Sequence, residues 1–511
     1  VASSLSYRPR QPDQGVLHQV VREHYETFRA HVAAHRDGQG LPRFVDREFQ
    51  DFLTCGCLAA GFARFRCAAC RHERLVAFSC KGRGFCPSCG GRRMTERAAH
   101  LVDYVFPDVP VRQWVLTLPS RVRYALAWDH GLCRAVVAVF VRAVLGWHRR
   151  HAHRRGVGNG RGGAVVIVQR FGSALNLNVH LHALVLDGVF ARDADGAVQF
   201  HAAPTHPAPD LMPLLVTIAT RVERLLTRRG VGGGGDGVDG TDAFADDVPT
   251  LAGLSASSVR GVAALGPRAG RPARRWRSEV AERRPDDTPR PWHARVRSFD
   301  LHAAVAARAG ARERLERMCR YALRPAVGQE RLRLSPEGQV VLDLRRRWAD
   351  GTMHLVFDPV EFLERLAALV PRPRINLVLY YGVLAPRAAW REAVVPSPTV
   401  DGDGEPSACG HGRVGRRPNR SWAELMERSF PPSPRLRRAS LKRFARKRVD
   451  VLACPGCSGH MTLVALIRDS AVVGRILRHL GLSDVVPVPR AGRAPPLPWE
   501  ADVEPAWTDV G

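Results

Sequence analysis

The sequence predicts an α+β fold: a central sheet with helices, preceded by a small cysteine-rich unit and followed by a small C-terminal unit. Three observations carry that reading. Val165 to Phe190, VVIVQRFGSALNLNVHLHALVLDGVF, holds two β-branched apolar runs either side of a Gly-Ser-Ala break, the pattern of two strands joined by a turn. Strand-like and helical stretches alternate on both sides of it. Seven of the twelve cysteines fall between Cys55 and Cys89.

Residues 1–105 read as a polar lead, a packing helix and the cysteine-rich unit. Val20, Val21, Tyr25, Phe28 and Val32 recur at helical spacing. Cys67-Ala-Ala-Cys70 and Cys86-Pro-Ser-Cys89 are separated by fifteen residues, the spacing of two knuckles closing one tetrahedral zinc site. Four thiolates make such a site closed and structural. Clustering in so long a chain favours metal binding over a disulfide framework. Arg92 and Arg93 belong to a basic rim around the knuckles that suits DNA phosphates.

Residues 106–388 form the second unit. WVLTLP reads as a strand ended by Pro119, Leu132 to Trp147 as an apolar helix, and Leu211 to Arg229 as another helix. His148, His151 and His153 follow the first helix among arginines and suit a solvated face or phosphate contacts. The stretch 230–290 opens with VGGGGDGVDG and reads as a flexible insert, in which RPARRWR offers Trp276 for stacking on a base. Order resumes at FDLHAAVAARAG, followed by a helix ending in CRYALRP. QVVLDL and MHLVF read as a strand pair, Pro359 to Leu369 as a helix, and INLVLYYGVLAP as a closing strand.

Residues 389–511 begin Pro/Gly-rich, pass through the basic stretch RLRRASLKRFARKR, and end in a unit holding Cys454-Pro-Gly-Cys457 and an amphipathic helix near Ile476. Two cysteines cannot close a zinc site. Cys409, His411, His460 or His479 would have to complete one there.

Lys and Arg total 77 against 49 Asp and Glu, a formal charge of +28, which predicts a polyanionic partner, most simply nucleic acid. Only Lys81, Lys442 and Lys447 are lysine. A GC-rich coding bias explains arginine over lysine but not the excess of positive charge. No apolar run approaches the roughly 18 residues of a membrane span, and VASSLSYRPRQPDQG has no signal core, so neither membrane nor secretion is expected.

Chemistry concentrates in the second central strand. Asn176, Asn178, His180 and His182 alternate with Leu177, Val179, Leu181 and Ala183. Period two puts both histidines on one face, about 7 Å apart, where two imidazoles can converge on one divalent ion. A tight hairpin sets Gln169 opposite His180 as a third ligand. Asp187 is the alternative, although its Asp-Gly also suits a turn. Tyr321 lies near the end of the Arg-rich helix, with Arg320 and Arg324 beside it as phosphate contacts.

A His-hydrophobe-His strand followed by a helix-borne tyrosine resembles the HUH endonucleases. SCKGRGFCPSCGGRRM, QRFGSALNLNVHLHALVLDGVF, CRYALRP, WAELMERSF and DVLACPGCSGHMTLVALI, in that order, resemble transposases of the insertion sequence 91 family from about Phe49 to Leu482. The resemblance implies an HUH nuclease-like central antiparallel sheet, with Tyr321 as nucleophile. It also implies Mg²⁺ or Mn²⁺ on His180 and His182, although histidine ligands alone would equally suit zinc. Structural Zn²⁺ would sit on the cysteines, of which Cys55 and Cys80 match further family positions. The implied activity is nicking and rejoining of single-stranded element ends through a 5′-phosphotyrosine during rolling-circle transposition, in a bacterial cytoplasm at the nucleoid. Members with two catalytic tyrosines carry one four residues earlier; that position is Arg317, so the chain resembles the single-tyrosine branch. The alternative is a non-catalytic zinc-ribbon DNA-binding protein, a decayed transposase.

Overall fold

A computed structural model describes residues 11–35, 39–204, 211–231, 242–277, 291–395 and 452–492. Cys409, His411, the WAELMERSF motif and the basic stretch 435–448 lie outside the described residues.

Helices α1 (Val16–His35) and α2 (Arg43–Leu53) open the chain, and α1 buries the predicted stripe from Val20 to Val32. Tyr25 stacks on Phe49, and Phe49 meets Phe85, with ring centroids 4.8 and 4.7 Å apart. These rings fasten both helices to the cysteine-rich unit. That unit is a hairpin, β1 (Phe62–Cys67) and β2 (Glu73–Ala77), followed by α3 (Pro87–Tyr104). Pro87 starts α3 at a position whose N–H would have no helical partner anyway.

β3 (Val111–Thr117) leads into α4 (Ser120–Trp128) and α5 (His130–His153). Asp129 caps α5 by accepting a hydrogen bond from the Leu132 N–H at 2.9 Å. By length and composition α5 is apolar enough to cross a membrane, and a little over half of its apolar window is buried within the fold. The expectation that no stretch reaches that length is corrected. Arg134 and Arg142 interrupt the run without lowering its average far enough.

β4 (Gly163–Phe171) and β5 (Leu177–Leu186) form the predicted strand pair, followed by the hairpin β6 (Gly188–Arg192) and β7 (Val198–Ala202). Then come α6 (Met212–Arg228), α7 (Ala243–Asp247), α8 (Pro249–Arg260), β8 (Arg274–Arg277), β9 (His293–Val296) and β10 (Phe299–Ala307). Helix α9 (Arg312–Leu323) precedes β11 (Leu332–Leu334), β12 (Val340–Asp343), β13 (Thr352–Phe357), α10 (Pro359–Leu369) and β14 (Val378–Gly382). β15 (Met461–Ile467) and a helix at Ser470–His479 close the described chain.

The main sheet has the order β14-β4-β5-β3-β10-β9, and every neighbouring pair is antiparallel. Period two assigns its faces. Leu177, Val179, Leu181, Ala183 and Val185 of β5 enter one large core with Trp114 and α5. Leu184 and Leu186 enter the other core, with Ile167 and the apolar side of α9 (Leu315, Met318, Cys319 and Ala322). His180 and His182 share the parity of Leu184, so they point toward α9.

Two further sequence expectations are corrected. The stretch 230–290 is not all linker. α8 buries Leu251, Ala252 and Leu254, and Ser258 Oγ accepts from the Leu177 N–H at 2.8 Å. Pro249 at the start and Gly261 in a left-handed cap (φ 79°) bracket the helix, signals submerged in the glycine-rich context. RPARRWR likewise supplies β8, an exposed strand paired with β13 that carries Trp276 half-exposed.

The second correction concerns the C-terminal unit. β15 pairs with β1 from Phe62↔Ile467 to Cys67↔Met461, making the sheet β15-β1-β2. Segments some 390 residues apart thus share one small sheet.

α3 also joins the cysteine-rich unit to the main domain. A Cβ built at Gly90 would lie 2.7 Å from Pro325 Cβ, so glycine permits α3 to close on the segment just after α9.

Candidate active site and metal centres

Register places Gln169 directly beside His180 across β4 and β5. The His180 and His182 ring centroids are 4.9 Å apart. His180 Nδ1 lies 2.9 Å from the Asn178 carbonyl, to which it donates, leaving Nε2 as a free lone pair. His182 Nδ1 is 2.8 Å from the side-chain amide of Gln113 on β3, and its Nε2 is buried with no protein partner. The Gln169 amide N–H donates to the Ala322 carbonyl at 2.9 Å, while its Oε1 is buried and unpartnered.

Burial holds both imidazoles neutral, His180 pushed down to about 4 and His182 well below its ordinary value. Neutral imidazole is the form that ligates a metal. Leaving buried acceptors bare costs on the order of 1–3 kcal/mol each. A divalent cation bound by His180, His182 and Gln169 would remove that cost, so the donor set fits one.

Tyr321, on α9, is 49% exposed, and its ring stands edge-on to His182 with centroids 5.8 Å apart. Arg324 caps α9, and its guanidinium lies 4.2 Å from the Tyr321 ring centroid. Arg320 is paired with Glu316 at 2.8 Å, one helical turn back. Arg92 is exposed on α3, whereas Arg93 donates to the carbonyls of Lys81 and Gly82. Asp187 is not at this site. It sits in a buried ion pair with Arg112 (2.7 Å), and its parity on the chain after β5 points to the opposite face. His148 packs against Trp114 and Trp147 instead of facing solvent.

The cysteines divide differently from the spacing expectation, which grouped Cys67, Cys70, Cys86 and Cys89. Cys55, Cys80, Cys86 and Cys89 converge at one place; Cys67, Cys70, Cys454 and Cys457 converge at another. Sulfurs stand 3.6 Å apart for Cys55–Cys86, 3.4 Å for Cys80–Cys89, 3.5 Å for Cys67–Cys457 and 3.4 Å for Cys70–Cys454. Four thiolates about 2.3 Å from a tetrahedral zinc lie roughly 3.8 Å apart, so both sets have nearly the required spacing. Hydrogen bonds from Cys80 and then Cys86 bring the Cys55 thiol down to about 7.

The correction has a plain cause. Cys67 ends β1, so its knuckle is the tip of the hairpin, while Cys80 and Cys86 follow the hairpin's open end, where Phe62 pairs with Ala77. A six-residue strand separates the two places by roughly 20 Å. The orphan Cys454-Cys457 pair, which needed two more ligands, was the available signal. Gln113 left no such mark, because only the register across β3 reveals its contact with His182.

Thiolate clusters beside a mixed α/β domain of antiparallel sheets define a zinc-binding protein with a polar, basic working face. Residues 20–118 match the transposase zinc-binding domain of the insertion sequence 91 type, and residues 163–228 and 265–391 match the Y2_Tnp transposase family. The chain is a transposase of the insertion sequence 91 kind, and a transposase acts on DNA. The gap in the second match, 229–264, contains α7 and α8. Comparison with curated proteins and with solved structures returned no match.

Proposed function

We propose that the chain nicks and rejoins single DNA strands through Tyr321, as an HUH-type, single-tyrosine enzyme of rolling-circle transposition. The observation that carries this reading is the meeting of Tyr321 with His182, His180 and the unpartnered Gln169 Oε1 on one sheet face. Tyr321 Oη attacks the scissile phosphorus. The P–O3′ bond breaks as the phenolic proton is lost to solvent, and the 3′ oxygen takes up a proton to become a 3′-OH. The downstream strand is then held as a 5′-phosphotyrosine, and attack by another 3′-OH reverses the step without ATP. His180, His182 and Gln169 would hold Mg²⁺ or Mn²⁺, which would supply Lewis-acid polarisation of the phosphate. Arg324, with its guanidinium 4.2 Å from the tyrosine ring centroid, holds the phosphate in this reading. Each four-cysteine group holds one structural Zn²⁺.

The test uses zinc-loaded full chain, Mn²⁺ and single-stranded oligonucleotides from the element's ends. An oligonucleotide labelled at its 3′ end should leave its label on denatured protein; one labelled at its 5′ end should yield a shortened free strand. Cleavage with neither label retained would move the case to metal-dependent hydrolysis.

Gln113 belongs to the same reading as a positioning residue. For His182 to ligate through Nε2 its Nδ1 must carry the proton, so the Gln113 amide, whose nitrogen faces Nδ1 at 2.8 Å, would turn over and accept through its oxygen, fixing tautomer and ring. Gln113→Leu should weaken Mn²⁺ binding about 10- to 100-fold by calorimetry on the zinc-loaded chain, with little change in single-strand affinity. An unchanged Mn²⁺ affinity would reduce Gln113 to packing.

A further inference from the structure

A groove runs between the cysteine-rich unit and the main sheet. One wall carries Arg83, before α3, with Arg93 and Arg97 on α3; the other carries Phe171 at the end of β4 and Arg324 after α9, while the Arg170 guanidinium turns away to the Ala127 carbonyl. Among the described residues its lining includes no acidic side chain, and none of Arg83, Arg93, Arg97 and Arg324 is ion-paired with a carboxylate. A second, more open hollow adjoins it, shares Met94, Arg324 and Pro325, and reaches Tyr321, Arg345 and the Glu316-paired Arg320, with Glu330 as the one acidic residue among the described residues of its lining. The basic path therefore leads from the zinc-binding unit to the tyrosine.

The arginines are held there by contacts that leave their charge unanswered. Arg83 donates to the Ile375 carbonyl at 2.5 Å and Arg324 to the Tyr321 carbonyl at 3.0 Å. Burial pushes the guanidiniums of Arg83, Arg97 and Arg324 down from their ordinary values, and repulsion from Arg93 adds to this at Arg83 and Arg97. Glu48 also acts on Arg83, but its carboxylate is occupied by the N–H groups of Gly84 and Arg83 at 2.7 and 3.2 Å. Partly desolvated cations concentrated without counter-charges are destabilising unless a polyanion occupies the groove. Phe171, half-buried in the same lining with Arg324 5.5 Å from its ring centroid, adds a stacking surface for an unpaired base.

We propose that this groove binds the phosphate backbone of a single DNA strand and delivers it to Tyr321. The proposal rests on the reading of Tyr321 as the nucleophile, and its test is independent of cleavage. Anisotropy of a labelled single-stranded oligonucleotide would be measured on the zinc-loaded full chain without added Mg²⁺ or Mn²⁺. Arg83→Gln/Arg97→Gln would be compared with a charge-matched control on α6, Arg221→Gln/Arg224→Gln, and zinc content and Tm would confirm folding. The groove variant should bind about 10-fold more weakly near 0.15 M salt, and its log–log salt slope should flatten by about 1.4, two single-strand phosphate contacts at roughly 0.7 each. The control should change neither by as much. Equal losses in both variants, or none in the groove variant, would overturn the proposal, as would duplex DNA binding as tightly through the same two arginines. A lost adduct with the binding effect intact would remove the nuclease reading and keep the groove. An intact adduct with unchanged binding would do the reverse.

Discussion

Tyr321→Phe should abolish the covalent protein–DNA adduct, lowering strand cleavage by at least about 10³-fold, the scale on which losing a nucleophile acts. The substitution is unusually clean here. Tyr321 is half-exposed and its hydroxyl takes no part in the packing of α9, which rests on Leu315, Met318, Cys319 and Ala322. Phenylalanine keeps the ring beneath Arg324 and edge-on to His182. Stability should therefore stay within about 0.5 kcal/mol of the parent, and single-strand binding should persist. If an adduct survives, Tyr380 is the next nucleophile to test. It lies on β14, paired with Val165, and packs against the core on the α9 side of the sheet. If cleavage survives without any adduct, the phenol is not the attacking group.

Local pattern made much of this site legible. Strict alternation through Leu177 to Ala183 fixed the shared face of His180 and His182, and the length of the break before it set Gln169 opposite His180. Hydrophobic spacing likewise anticipated α1, α10 and the β12–β13 pair. What escaped was long-range. The joining of β15 to β1 spans almost the whole chain, and no local periodicity encodes which strand closes which edge. The same limit explains the cysteines. Knuckle spacing reports that a pair can ligate, whereas the hairpin between Cys67 and Cys80 decides with which other pair. Arg83 and Arg97 looked like ordinary members of an arginine-rich composition until the fold set them across a groove from Arg324.

Cys454→Ser/Cys457→Ser should reduce zinc from two ions per chain to one, measured by atomic emission on the purified full chain, and should lower Tm. Cys86→Ser should remove the other ion and leave this one. A single site built from Cys67, Cys70, Cys86 and Cys89 would instead hold one zinc whatever happens at residues 454 and 457. The magnitudes favour a large effect. Cys70 and Cys454 are 384 residues apart, and the chain-length part of closing such a loop costs about 5 kcal/mol. A lone pairing of two short strands is marginal in water and cannot offset that alone. Structural zinc in small thiolate domains contributes roughly 10–16 kcal/mol at neutral pH, enough to hold the ends together. Without the ion, β15 should leave β1, exposing Phe62, Val473 and Leu477, which now share a small core at that end of the sheet. Protease cleavage should then rise in the segment 452–492 while the main sheet stays protected. If zinc content falls but β15 remains protected, the packing of Ser470–His479 holds the closure, and the metal only reinforces it.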